Sequence, residues 1–314
     1  MLKFYKTTAV EKKLKKAKTI TENSWIDMVS PDREEIEQVV KITGIDEDLI
    51  LKMLDDEERP RIEESGNAVL IVIDTPYLET DEDHFVYNTS PLGIIVTNNN
   101  FVITVSPSLN KILTNFKKNK VKDFRTAKKT RFVIQILYNT AQAYIRALRV
   151  VSRKIELKEE VLSKSTSNRD LLDMLDLEKT LVYFLTSLKA NDLVLDKLSK
   201  GVVLPLFEGD DDLLDDAIIE NKQAIEQSEI YRNILGSITE TYGTIISNNL
   251  NVIMKFLAGA TIVISVPTMI SSFLGMNVPL GELANNPFSA LGIFIASVVI
   301  SVIVAIILYK KNML

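Results

Sequence analysis

Cysteine is absent from the 314 residues, and histidine occurs once, at His84. No disulfide framework can form, and a soft Cys/His site for zinc or copper is excluded with it, so any metal must be met by oxygen. His84 closes the acidic stretch 80–84 and reads as a solvated residue. The chain also lacks a Gly-rich phosphate loop, a paired nucleophile and base, and a metal triad, which removes the common enzyme classes. An excess of positive charge is missing as well. Lysines and arginines number 37 against 42 acids, a net charge of −5 with a pI near 5.3, so nucleic acid is not an expected partner while cations are. The N-terminal MLKFYKTTAV is basic but has no apolar stretch of signal-peptide type, so the soluble part is expected to remain in the cytoplasm.

Charge is missing locally, too. No charged residue occurs across 256–276, and 21 residues at 1.5 Å each give a helix of about 31 Å, enough to cross a hydrocarbon core of roughly 30 Å. A second uncharged stretch separates Glu282 from Lys310 and places another span near 287–309. The loop between the two carries only Glu282, whereas Lys255, Lys310 and Lys311 lie at the opposite ends. The positive-inside rule therefore puts both termini in the cytoplasm.

The first span has a pattern of its own. Alternating steps of three and four select Asn251, Met254, Ala258, Thr261, Ser265, Thr268, Ser272 and Gly275, small or polar at every position but Met254. Phe256, Val263, Ile270 and Phe273 fall elsewhere on the helix. One face suits lipid; the other suits close packing or water. The span closes on Gly275-Met276-Asn277, a tripeptide that glycine and asparagine also fit for a simple helix terminus.

Upstream, residues 1–124 read as a mixed α/β domain. Strands are expected at 2–5, 25–29, 68–74, 93–97 and 101–105, with helices at 33–41 and 46–54. Ser30-Pro31-Asp32 supplies a cap, a first-position proline and a first-turn acid for the former. The charge run 55–61 reads as a solvated turn. From 125 to 205 apolar spacing changes to that of an antiparallel helical pair, whose tip bears Glu156, Glu159, Glu160, Asp170, Asp173 and Asp176. These acids make either a solubilising face or a cation funnel. A stalk helix follows over 206–250, and it runs without proline into the membrane domain, 251–314, with spans near 253–275 and 287–309. One helix over 212–274 would measure about 94 Å. Ile218, Ile225, Leu235, Tyr242 and Ile246 are spaced to form its seam, and a helix of that length needs partners, most simply copies of itself.

In its Gly-Met-Asn tripeptide at the outer end of the first of two C-terminal spans, in the preceding Asn251-Val252-Ile253-Met254-Lys255-Phe256-Leu257, and in its basic tail, the sequence resembles the CorA family of divalent metal ion channels. The resemblance implies a homopentamer in a lipid bilayer that passes hydrated Mg²⁺, with Co²⁺ or Ni²⁺ as further cargo, and that is gated by internal Mg²⁺. It makes Gly275, Met276 and Asn277 the selectivity filter. Asn251, Met254, Leu257, Ala258, Thr261, Ser265 and Thr268 become pore-lining or gating residues, with Ser265 or Val266 at the middle constriction beside Pro267. It also matches Asp216 to a regulatory Mg²⁺ ligand, whose partner from the α/β domain is one of Glu79, Asp81, Glu82 or Asp83, taken to lie in the turn after the 68–74 strand. The same fold carrying Zn²⁺, and a non-conducting membrane-anchored scaffold or sensor, are the competing readings.

Overall fold

The computed structural model describes residues 1–8, 13–80, 85–162, 168–276 and 288–311. The chain divides into two units, Met1–Ile238 and Thr239–Leu314.

The first unit is built on a seven-stranded sheet of β1 (Leu2–Thr7), β2 (Leu14–Ala17), β3 (Trp25–Val29), β4 (Arg61–Ser65), β5 (Ala68–Thr80), β6 (Phe85–Thr97) and β7 (Val102–Ser106). Their order is β2-β1-β3-β7-β6-β5-β4, with β3 and β7 parallel and the other neighbours antiparallel. Alternation along the strands feeds two cores, because successive side chains point to opposite faces. Leu70 and Val72 of β5 join Ile26, Met28 and Val105 against α1 (Arg33–Thr43) and α2 (Asp48–Leu51). Ile71 and Ile73 join Trp25, Leu92 and Ile94 against α3 (Lys111–Lys117), α4 (Lys129–Leu162) and α5 (Asn168–Ser199). The helical pair read as a separate segment thus closes the sheet's own core.

Strands β2 and β4 escape the sequence reading. LKKA and RIEES carry too much charge for a strand signature, and they form the two edges of the sheet, where one side of each is solvated. The N-cap of α1 is Asp32, two residues later than the expected cap, Ser30; it forms a capping box with Glu35, and Gly44 ends the helix at φ 68°.

Trp25 sits amid Phe116, Phe124 and Phe132, with ring centroids 5.2 to 6.4 Å away. Its indole N–H donates to Thr104 Oγ1 at 2.8 Å, and the Thr104 hydroxyl donates to Asp27 at 3.1 Å. Asp27 is fully buried and ion-paired with Lys117, whose ammonium also lies 5.7 Å from the Trp25 ring centroid. Removing one member of such a buried pair costs about 3–5 kcal/mol.

Helix α6 runs from Asp210 to Leu274, and α7 from Ser289 to Lys310. The buried positions of α6 are Leu214, Ala217, Asn221, Ala224, Ser228, Leu235 and Tyr242, spaced in threes, fours and sevens. This seam shares only Leu235 and Tyr242 with the expected one. Ile218 and Ile225 are half-buried and Ile246 is exposed. Polar side chains reach across from α6 to α4 and α5: Asn221 donates to the Leu188 carbonyl at 3.1 Å, Gln142 donates to Glu220 at 2.8 Å, and Lys189 pairs with Glu229 at 2.7 Å.

Candidate functional site

Two helices, α6 and α7, are long and apolar enough to cross a membrane. Their apolar side chains face outward: Met254, Leu257, Ile264 and Phe273 on α6 and Phe294 and Ile303 on α7 are all exposed. Such a surface requires lipid or further copies of the chain to cover it.

On α6, Asn251, Ala258, Thr261, Ser265 and Thr268 are exposed together with Met254 at 61% and Leu257 at 64%. The three hydroxyls are not free rotors. Thr261 donates to the Leu257 carbonyl at 2.7 Å, Ser265 to the Thr261 carbonyl at 2.7 Å, and Thr268 to the Ile264 carbonyl at 3.1 Å. Each hydrogen is committed to the helix, so each oxygen is left with lone pairs and acts outward as an acceptor. Pro267, inside the helix, has no N–H, and the Val263 carbonyl loses its helical donor. Ser265, Thr268 and Ser272 line a groove of about 530 Å³ with Met269, Phe273 and Met276. A second groove, about 580 Å³, holds Asn251 with Glu240, Thr244, Ser247 and Asn248. The sequence reading stopped at Asn251, although 240, 244 and 247 continue its steps of three and four.

Helix α6 ends at Leu274, and the Gly275 N–H bonds the Ser271 carbonyl at 3.0 Å. Gly275 is not among the glycines with positive φ. A Cβ there would lie 3.4 Å from the Ser271 carbonyl oxygen. The left-handed cap that would explain a glycine here is therefore not formed, and the chain's own backbone does not demand one. Met276 is exposed; Asn277 lies outside the described residues.

Two of the five expected regulatory ligands, Asp216 and Glu79, lie among the described residues. Asp216 is exposed near the start of α6. Glu79 lies within β5, not in a turn after it, because β5 and β6 pair over 13 residues each. It accepts from Asn88 at 3.5 Å. Asp81, Glu82 and Asp83 fall outside the described residues, and among those described no three acidic or histidine side chains are grouped to hold a metal. At the helical tip, Lys158 bridges Asp170 (2.9 Å) and Asp173, and Asp176 pairs with Lys179 at 3.6 Å. Burial would lower the Lys158 ammonium, but the hydrogen bonds it donates to these carboxylates outweigh it and hold the group above its ordinary value. Three of the six tip acids are thus ion-paired with lysines.

A family model described as "CorA-like Mg2+ transporter protein" matches residues 21–311. The chain belongs to the CorA family. The cobalt/magnesium transport protein CorA of Methanocaldococcus jannaschii is 30% identical over 298 residues, covering 92% of this chain and 90% of the relative. The complete structure of the CorA magnesium transporter from the same organism superposes with a TM-score of 0.84 at 28% identity, covering 98% of this chain and 96% of the other. The full-length CmaX structure shares the fold, with a TM-score of 0.74 at 14% identity over 99% and 97% of the two chains. An α/β domain followed by a long helix and two candidate C-terminal spans is thus the CorA architecture. Members of this family are transporters, and the chain is a CorA-like divalent-cation transporter.

Proposed function

We propose that five copies of the chain form a channel through which hydrated Mg²⁺ moves passively, driven by the membrane potential, along the polar stripe of α6. The observation that carries this reading is the run of outward-facing hydroxyl acceptors on an otherwise apolar helix long enough to span a bilayer. Mg²⁺ sheds water reluctantly, and a hydrated ion presents water hydrogens to its surroundings. Oxygen acceptors without fixed charge match those hydrogens and let the ion leave again, as conduction requires. Two spans per chain cannot enclose a water-filled path; several copies of one polar stripe can.

In this reading Asn277, with Gly275 and Met276, forms the outer ring that selects the hydrated ion through amide carbonyls. Met254 and Leu257 make an apolar constriction that closes by dewetting, and Asn251 forms the inner ring. The protein sits in the cell membrane with both termini in the cytoplasm. Regulation comes from Mg²⁺ held between copies, with Asp216 of one chain facing an acid of the next. Two carboxylates across a subunit boundary repel, and a bound Mg²⁺ turns repulsion into a bridge that favours closure.

The test is purified protein in liposomes loaded with a Mg²⁺-sensitive dye under an imposed potential. Saturable Mg²⁺ entry that follows the potential is expected, from a particle of five chains by native mass measurement. A sealed liposome showing no entry, or a monomer, overturns the channel.

A further inference from the structure

In the first unit, the β5–β6 hairpin, α3 and α4 border an open cavity of about 480 Å³ whose lining, among the described residues, contains Lys111, Lys118 and Arg146 and no carboxylate. This is unexpected in a chain with five more acids than bases. Elsewhere on the same unit several basic side chains find acids: Lys52 pairs with Glu63, Arg131 with Asp210, Lys189 with Glu229 and Lys200 with Asp196. Lys111 and Lys118 make no such pair among the described residues, and Arg146 reaches only the Gln142 side-chain oxygen, at 3.5 Å.

The three cations converge for a simple geometric reason. Lys111 and Lys118 are seven apart on and just beyond α3, with Thr114 and Asn115 between them on the same face. Arg146 comes from the facing stripe of α4, where Ala143 and Ala147 leave the space open. The rest of the lining is Pro76, Leu78, Ile112 and Val150 with two tyrosines, Tyr77 and Tyr87, the latter's ring packing on Phe184 at 5.7 Å. Like charges gathered without a counter-charge repel, and an arginine with two lysines is the donor set that oligophosphates satisfy. The volume is within the roughly 300–1,000 Å³ of small-molecule sites.

We infer that this cavity binds a small oligophosphate anion, either a nucleoside triphosphate or an inorganic chain of phosphates. Lys111, Lys118 and Arg146 supply charge-assisted hydrogen bonds, and the Asn115 amide a further donor. The apolar floor and Tyr87 accommodate a base and sugar, so a nucleotide gains contacts that tripolyphosphate does not.

Full-length protein in detergent is titrated calorimetrically with ATP and, separately, with tripolyphosphate, in Mg²⁺-free buffer so that chelation does not contribute. Binding of either anion at one site per chain is expected, and the tighter of the two identifies the source of the phosphate. The double variant Lys118→Glu/Arg146→Glu, both exposed positions, should weaken binding at least about tenfold, since each lost charge-assisted bond accounts for about an order of magnitude. A control of equal charge change, Lys197→Glu/Lys200→Glu, should leave it unaltered. No binding of either anion up to about 5 mM, a level that would still register a millimolar site, overturns the inference. So does equal weakening in both double variants, which would mean diffuse attraction alone. Binding is read without an ion gradient, so this result and the liposome flux stand or fall separately.

Discussion

The hydroxyl of Ser265 donates to the carbonyl of Thr261 at 2.7 Å, and Thr261 in turn donates to Leu257 at the same distance. Both hydrogens are spent on the helix, and what faces outward is oxygen alone. Removing either oxygen tests that directly. Thr261→Val and Ser265→Ala should lower Mg²⁺ flux in liposomes several-fold, about fivefold each if each ring contributes one net hydrogen bond of about 1 kcal/mol to the passing ion. Oligomer mass should not change. Flux equal to wild type in both variants would mean that the stripe serves helix packing only.

For the filter and the gate, the expected outcomes are opposite in sign. Asn277→Ala should abolish Mg²⁺ entry while the assembly survives, because only an amide is deleted. Met254→Gly and Leu257→Gly should raise resting leak, since widening an apolar constriction lets water in. Dye entry without an imposed potential reads the leak, and tighter closure would contradict the gate.

Asp216 is exposed on α6 and available to a neighbouring copy. Asp216→Lys should remove much of the protection against protease that Mg²⁺ gives the wild type and should reduce inhibition by internal Mg²⁺. Protection and inhibition identical to wild type would remove Asp216 from regulation.

Gly93 in β6 faces Met53: a Cβ there would lie 2.4 Å from the Met53 Cγ and 2.5 Å from its sulfur. Met53 is fully buried and cannot swing into solvent. Overpacking of this kind costs about 1–3 kcal/mol, so Gly93→Ala should lower Tm by several degrees, and Met53→Ala should cost less in the Gly93→Ala background than in wild type, because the new methyl partly fills the space left by Met53. An unchanged melting curve for the single variant would place slack in this core.

Asp74 accepts from Ser187 at 2.6 Å where β5 meets α5. Burial, the larger effect, raises its carboxyl above the ordinary aspartate range despite that hydrogen bond. A folded-state value above the unfolded one favours folding fully at pH below the unfolded value, and this contribution is lost as pH rises through the folded value. Asn keeps an acceptor for Ser187 without the charge. Asp74→Asn should therefore raise Tm relative to wild type near neutral pH by about 2–4 °C, roughly 1 kcal/mol in a unit of this size. The difference should close toward about pH 4, as wild-type Asp74 protonates. A gap that widens in acid would reverse the assignment.

The sequence by itself determined what repeats along one helix or one strand. The two spans follow from uninterrupted apolar runs, and the polar stripe of α6 follows from steps of three and four. The central strands β3, β5 and β7 were legible because their β-branched runs are buried on both faces. Tertiary structure decided what depends on who faces whom. Lysine-rich LKKA and acidic RIEES become strands only because a neighbour offers its ladder, and which residues of α6 are buried depends on where it meets α4 and α5, as at Glu220 and Asn221, and not on its hydrophobic spacing alone. The Asp27–Lys117 pair joins residues 90 positions apart, and the carboxylate-free cavity gathers cations from α3 and α4. No local period records such meetings, because contact between distant side chains is set by the packing of whole elements and not by the spacing within any of them.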